Sequence, residues 1–147
     1  HGVLTKHELK ARTEILLEVY SRQINIEALT MLSIAKRQIL PACCEYSGRL
    51  GQAASAVSAA GVDAETQTKL LKRLCDLIAT LESSIEALEK GVEKAAHTKG
   101  TDKHAESYRA DVVPAMAALR QVADELETVV DAKLWPLPSY AEMLFIR

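Results

Sequence analysis

The sequence predicts an all-α protein, an antiparallel bundle of three or four long helices with an extended aromatic tail at its C-terminal end. Ala, Leu, Glu, Lys and Val dominate, while aromatic residues make up only 4%, a mixture that favours helices over sheet. Apolar residues recur at near-helical spacing through three long segments. The connections between these segments are short, so we expect neighbouring helices to be antiparallel.

The first predicted helix begins at a capping box formed by Thr5 and Glu8 and runs for about nine or ten turns, roughly 50 Å. Its apolar positions are Leu9, Leu16, Val19, Ile26, Leu29 and Leu32, widened by Ile15, Ile24 and Ile34. The stretch 23–42 is apolar enough to be buried in this domain, or to form a face that another domain covers. Aspartate at Ile26 or Leu29 would destabilise a buried face by several kcal/mol and an exposed face hardly at all.

Pro41 is expected to kink or end the first helix, because it lacks a backbone donor and disfavours helical geometry at Leu40. We expect the chain to continue as helix after a kink, up to about residue 60. A turn at Gly61 then follows, with the glycine in a left-handed conformation and Asp63 capping the next helix.

The second helix is predicted over about 64–96, with a broad apolar stripe suited to two partner helices. Its rows are Leu70 and Leu77; Leu74, Leu81, Leu88 and Ala95; and Leu71, Ile78, Ile85 and Val92. A polar loop, 97–102, follows, with Gly100 as the expected helix stop. The third helix is predicted over about 103–133, and Pro114 should bend it or break its first turns.

The tail 134–147 contains the only Trp and the only Phe, and two prolines that force an extended path. Ser139 and Glu142 repeat the capping-box spacing, so one or two helical turns are expected from Tyr140 to Phe145. The tail either packs back on its own bundle or docks on another domain or subunit. Its aromatic residues, Trp135, Tyr140 and Phe145, are the candidate interface residues.

Composition narrows the classes of function. The net charge of −2 and the isoelectric point near 6.1 offer no basic surface for nucleic acid. No apolar run approaches the roughly 20 residues of a membrane helix, so we expect no membrane partner. Cys43, Cys44 and Cys75 form neither a disulfide framework nor a zinc motif, which fits a reducing compartment.

No motif in the sequence specifies an active site, a cofactor site or a metal site. His97, followed by Thr-Lys-Gly, invites comparison with histidine phosphotransfer domains, but its spacing is one residue short and it lies at a helix end. A His that interacts with the helix dipole is the simpler interpretation. The Glu-x-x-His motif of di-iron bundles is absent. Asn25 is interpreted as a satisfied or exposed polar group, or as a hydrogen-bonding contact to a partner domain.

Two blocks of sequence nevertheless resemble a known family. GVLTKHELKARTEILLEVYSRQINIEALTM and AKRQILPA, near the N-terminal end, look like the segment that follows the catalytic domain in type III glutamine synthetases. The tail LWPLPSYAEMLF is similar to the closing W-P-x-P-T-Y-x-x-L-F pattern of those enzymes. The resemblance spans the chain, with its specificity at the two ends. Departures from the pattern, which indicate a member from another lineage, are Ser33, Cys43, Cys44, Ser139 and Ala141.

The resemblance implies that residues 1–147 are one helical C-terminal domain of a longer cytoplasmic enzyme. That parent would join ammonia to glutamate with ATP and Mg or Mn, and would assemble into homo-oligomeric rings. The resemblance places its catalytic residues upstream, so this segment is expected to be non-catalytic, with an architectural, subunit-contact or regulatory role. Its expected partners are the catalytic domain of the same chain and other ring subunits. The alternative is a free-standing helical module for interaction or oligomerisation.

Overall fold

The computed structural model describes residues 3–138 and 140–144, and over these ranges the chain is helical with no β-strand, as the sequence predicts. Two five-residue π-helical turns interrupt the α-helices: Ala35–Ile39, the first π turn, and Tyr108–Val112, the second π turn. The α-helices are α1 Lys6–Ile34, α2 Leu40–Ala59, α3 Glu65–Ala96, α4 Thr101–Ser107, α5 Val113–Glu127 and α6 Tyr140–Leu144.

The chain divides into two compact units. The first unit contains the chain through Leu32 together with Ser84–Leu119, and the second contains Ser33–Ser83 together with the chain from Arg120 onward. Aliphatic side chains fill the core of each. Buried residues of the first unit include Ala28, Leu32, Ile85, Leu88, Ala95, Ala105, Tyr108, Val112 and Leu119; those of the second include Ala35, Ile39, Cys43, Ala64, Leu74, Leu81, Leu126 and Val130.

Several helix ends lie where local features of the sequence predict them. The Thr5 backbone N–H donates to a Glu8 carboxylate oxygen at 2.8 Å, and the Glu8 N–H donates to the Thr5 hydroxyl oxygen at 3.2 Å, which completes the predicted capping box. Gly61 has a φ of 76°, and the Val62 N–H reaches back to the Val57 carbonyl at 3.2 Å. Asp63 then caps α3 by accepting the Glu65 N–H at 3.0 Å.

Each π turn ends two residues before a proline. The Leu40 N–H donates to the Ala35 carbonyl just before Pro41, and the Val113 N–H donates to the Tyr108 carbonyl just before Pro114. These i→i+5 hydrogen bonds widen the helix where the proline ring would otherwise clash with a carbonyl of the preceding turn. The helix continues directly into α2, as expected, while a bend of its axis at Pro41 or Pro114 stays a prediction.

One predicted helix end is wrong. α4, the second π turn and α5 follow one another without a gap, with the π turn just before Pro114, but α5 ends at Glu127 and not near residue 133. Turns follow, in which the Leu134 N–H donates to the Asp131 carbonyl at 2.8 Å. α3 ends at Ala96, as predicted, and Gly100, with a φ of 93°, lies immediately before α4. Its left-handed backbone turns the chain into the next helix.

Candidate interaction surfaces

The most unusual surface of the first unit is the side of α1 that points to solvent. We call it the outer face of α1, and it consists of Leu9, Ile15, Leu16, Val19, Ile26 and Leu29. Between 50% and 68% of each of these residues is exposed. More than half of the exposed large hydrophobic residues among the described positions belong to α1. Of the two alternatives for the stretch 23–42, the exposed face is therefore the one found at Ile26 and Leu29.

The buried side of α1 explains this outcome. Its buried residues are Ser21, Ala28 and Leu32, of which two are small. The Ser21 hydroxyl satisfies itself by donating to the Leu17 carbonyl at 2.9 Å, so a buried serine costs little. Small residues let a helix approach its neighbours closely, and here Ser21 and Ala28 face the core together with Leu32, while six other aliphatic side chains face outward. The seven-residue spacing of Ser21 and Ala28 places them on one side of α1 but does not by itself select the side that packs.

Two polar contacts tie the second π turn to other helices of the first unit. The Tyr108 hydroxyl donates to Asn25 Oδ1 of α1 at 3.1 Å, and burial raises the pKa of Tyr108. Asn25 is thus a satisfied polar group, one of the alternatives left open by the sequence. Lys94 of α3 donates to Asp111 at 2.9 Å, and Ser107 donates to the other carboxylate oxygen of Asp111 at 3.0 Å. These hydrogen bonds, the one from Lys94 first, lower the pKa of Asp111.

The aromatic tail forms a second candidate surface, in the second unit. Trp135 is partly buried, and its Nε1–H has no hydrogen-bond partner among the described residues. The indole lies at an open cavity of about 720 Å³, lined by Glu127, Ala132, Lys133, Trp135, Pro136, Leu137, Pro138 and Glu142. Of the other candidate interface residues, Tyr140 begins α6 and Phe145 lies outside the described residues.

The histidine and cysteine side chains considered for chemistry take ordinary structural roles. His97 is exposed at the end of α3, where its Nδ1 lies 2.8 Å from the Glu93 carbonyl oxygen. Cys43 and Cys44 point in different directions, the first buried and the second exposed, and Cys75 is exposed. Burial, helped by the adjacent Cys44, raises the pKa of Cys43 to about 11. Within 3–138 and 140–144, no group of three or more His, Cys, Asp or Glu is arranged to hold a metal ion.

No helix within the described part of the chain is both long enough and apolar enough to span a membrane.

Comparison with known proteins gives a consistent result across the chain. A family model described as the glutamine synthetase C-terminal domain matches residues 1–58. The type-3 glutamine synthetase of Dictyostelium discoideum is 28% identical over 99% of this chain, and the glutamine synthetase of Butyrivibrio fibrisolvens is 32% identical over 99%. That of Bacteroides fragilis is 24% identical, again over 99% of the chain. The chain spans 21% of the length of each relative. The chain is therefore similar over nearly its whole length to glutamine synthetases, and its first 58 residues resemble the C-terminal domain of that family.

Proposed function

We propose that this chain is the non-catalytic C-terminal domain of a glutamine synthetase, and that the catalytic region occupies the preceding part of a longer polypeptide. The observation that carries the proposal is the pattern of the matches. Three glutamine synthetases align with 99% of this chain, and the alignment takes up only 21% of each. Most of each relative therefore lies outside the segment that resembles this chain.

The parent enzyme would activate the side-chain carboxylate of glutamate by phosphorylation with ATP, after which ammonia would displace the phosphate. Phosphoryl transfer of this kind depends on divalent ions, here Mg or Mn, which offset the charge of the phosphates. We assign that chemistry to the preceding region, and no residue of this chain a role in it. We further propose a cytoplasmic location for the parent.

Within such an enzyme, residues 1–147 would act as one domain with an architectural, subunit-contact or regulatory role. The exposed aliphatic residues of α1 support a contact role, because large exposed apolar patches mark interaction sites. The proposed partners are the catalytic domain of the same chain and further subunits of a homo-oligomeric ring. In the tail, Trp135, Tyr140 and Phe145 are the proposed contact residues, and the unpaired Nε1–H of Trp135 among the described residues supports that assignment.

A direct assay tests the proposed function. The full reading frame that encodes this chain and the 147-residue segment alone are each incubated with glutamate, ammonia, ATP and Mg or Mn, and glutamine is measured. We expect glutamine from the full product and none from the segment. Robust turnover by the segment would overturn the assignment of catalysis to the preceding region.

The same exposed face of α1 would also suit a free-standing module for interaction or oligomerisation, the second candidate function. The reading frame upstream of residue 1 separates the two. A catalytic domain encoded there supports the synthetase, and a start codon next to Val3 supports the free-standing module.

Removal of residues 134–147 tests the tail independently: an unchanged assembly state and unchanged partner binding would leave it only a structural role.

A further inference from the structure

We infer that the outer face of α1 is an intramolecular docking surface, covered in the parent by the region of the same polypeptide that precedes this domain. The inference rests on the proposed function, since it needs such a region to exist. It adds the surface, the helix and the residues through which the two parts of the chain meet.

The first argument is the way α1 distributes its side chains. Within the first unit, α1 buries Ser21, Ala28 and Leu32, at 1%, 0% and 7% exposure, while Leu16 remains 68% exposed. A helix that packed on one side only would carry polar residues on its other side, because burial of large aliphatic groups provides most of the driving force for packing. An α1 with two packed sides accounts for apolar residues both inward and outward.

The part of α3 that belongs to the same unit provides an internal comparison. Its buried residues are aliphatic, with Ile85 and Leu88 at 3% and 0% exposure. Most of its exposed positions are charged, and there Lys90 pairs with Glu86 at 3.3 Å. This is the ordinary pattern for a helix with one packed side and one solvated side. The aliphatic exterior of α1 is therefore a property of that helix and not of the whole unit.

The outer face of α1 is also large enough for a domain interface. Six aliphatic residues that are each at least half exposed lie between Leu9 and Leu29, over about five to six turns of helix. Monomeric proteins seldom expose contiguous apolar patches above a few hundred Å² unless the patch is functional. Interfaces between domains of one chain bury about 600–1,500 Å², a range that a face of this length can supply.

The preceding region of the same polypeptide is the occupant that best fits this face. The relatives that match this chain devote 79% of their length (100% less 21%) to other sequence. In the proposed parent that sequence joins the N-terminal end of this domain, where α1 starts at Lys6 and its outer face starts at Leu9. A short covalent connection gives the preceding region an effective concentration of about the mM range at this face. A second copy of the chain has no such advantage, and it would have to accommodate Arg12 and Gln23, which share helical spacing with Leu16 and Val19.

Thiol labelling measures the covering directly. Val19→Cys places a thiol on the outer face, at a position that is 58% exposed, and Val62→Cys places one in the turn before α3, at a position that is 61% exposed. Each variant is prepared both as the 147-residue chain and as the full product of the reading frame. The labelling rate of each introduced thiol is then read by peptide mass spectrometry. We expect the thiol at position 19 to label at least about tenfold more slowly in the full product than in the isolated chain, and the thiol at position 62 to label equally in both.

Two outcomes would overturn the inference. Equal labelling of position 19 in the two preparations would show that the preceding region leaves the face open. Protection of position 19 in the isolated chain that rises with protein concentration, together with a dimer in sedimentation, would assign the face to a second copy.

Glutamine synthesis by the same full-length preparations separates this inference from the proposed function. If the full product makes glutamine while position 19 remains open, only the docking surface is wrong. If the full product makes no glutamine, the proposed function is wrong, whatever the labelling rates.

As a paired test, Val19→Glu should lower the melting temperature of the full product by several degrees and leave that of the isolated chain unchanged, whereas Val62→Glu should change neither.

Discussion

The hydroxyl of Tyr108 donates a hydrogen bond to Asn25 Oδ1 at 3.1 Å, across 83 residues of sequence. It joins α1 to the second π turn within the first unit. Tyr108 is only 3% exposed, so water cannot readily replace the asparagine as a partner for its hydroxyl. The polar residue that interrupts the apolar sequence of α1 therefore serves to position a buried aromatic side chain.

Tyr108→Phe should lower the free energy of unfolding by about 1 kcal/mol, because it removes the donor and leaves Asn25 with an unsatisfied, partly buried oxygen. Urea unfolding of the isolated chain measures the change. Tyr20→Phe is the matched control: this tyrosine is 36% exposed, and we expect a change within about 0.5 kcal/mol. A double-mutant cycle of Tyr108→Phe with Asn25→Ala that showed no coupling would contradict a stabilising role for this bond.

The pH dependence of stability should carry a contribution from Asp111. Hydrogen bonds from Lys94 and then Ser107 lower its pKa in the folded chain below the ordinary value of 3.8. The folded state consequently binds this proton less readily than the unfolded state does, and the stabilisation is fully present above pH 3.8. It is lost as the pH falls below that value through the folded pKa.

Carboxyl titration by NMR tests this assignment. Lys94→Met should raise the pKa of Asp111, and Ser107→Ala should raise it less, since the hydrogen bond from Lys94 is the larger cause. Arg120→Met is a suitable control, because Arg120 pairs with Asp124 at 3.5 Å, away from Asp111 in sequence. An Asp111 titration that is unchanged by Lys94→Met would show that this ion pair does not hold in solution.

Aspartate substitutions along α1 should separate its two sides. Ile26→Asp and Leu29→Asp, at positions 60% and 50% exposed, should each change the stability of the isolated chain by no more than about 0.5 kcal/mol. Ala28→Asp, at a position with 0% exposure, should destabilise it by several kcal/mol, because the charge would be buried without a partner. Chemical denaturation compares the three variants. A large loss of stability from Ile26→Asp would show that the outer face is packed within this domain.

The cysteines should differ sharply in reactivity. A rise in the pKa of Cys43 from 9.0 to about 11 reduces its thiolate at neutral pH about a hundredfold, and the side chain is also buried. Alkylation of the folded chain should therefore modify Cys44 and Cys75, which are exposed, and spare Cys43. Unfolding in urea is the control, since it should make all three react. Rapid labelling of Cys43 in the folded chain would contradict its burial.

Short-range features were predictable from the sequence because the chemistry that creates them is local. Thr5 and Glu8 satisfy one another across three residues, and Gly61 supplies a backbone conformation that other residues rarely adopt. Leu74, Leu81 and Leu88 were also correctly predicted to lie on the apolar side of their helix, and they are buried. They recur every seven residues and charged residues flank them, so only one side of the helix can face the core.

The orientation of α1 could not be settled in the same way. Its sequence is apolar on two sides, and periodicity does not say which side meets the rest of the domain. The π turns depend on backbone hydrogen bonds that proline suggests but does not specify, so the sequence predicted a bend or break at Pro114 without its π geometry. The partners of Asn25 and Asp111 come from distant segments, and no local spacing reveals them.

The second π turn makes the first unit sensitive to the number of its residues as well as to their identity. A π turn holds one residue more than the α-helical path would need. Arg109 and Ala110 are exposed, so most substitutions there should be tolerated. Deletion of either one would instead let an α-helical turn replace the π turn, with little rotation of the residues that follow. Insertion of one more residue would exceed what the π turn absorbs and rotate the residues that follow by about 100°, which would turn Leu119, now 2% exposed, out of the core.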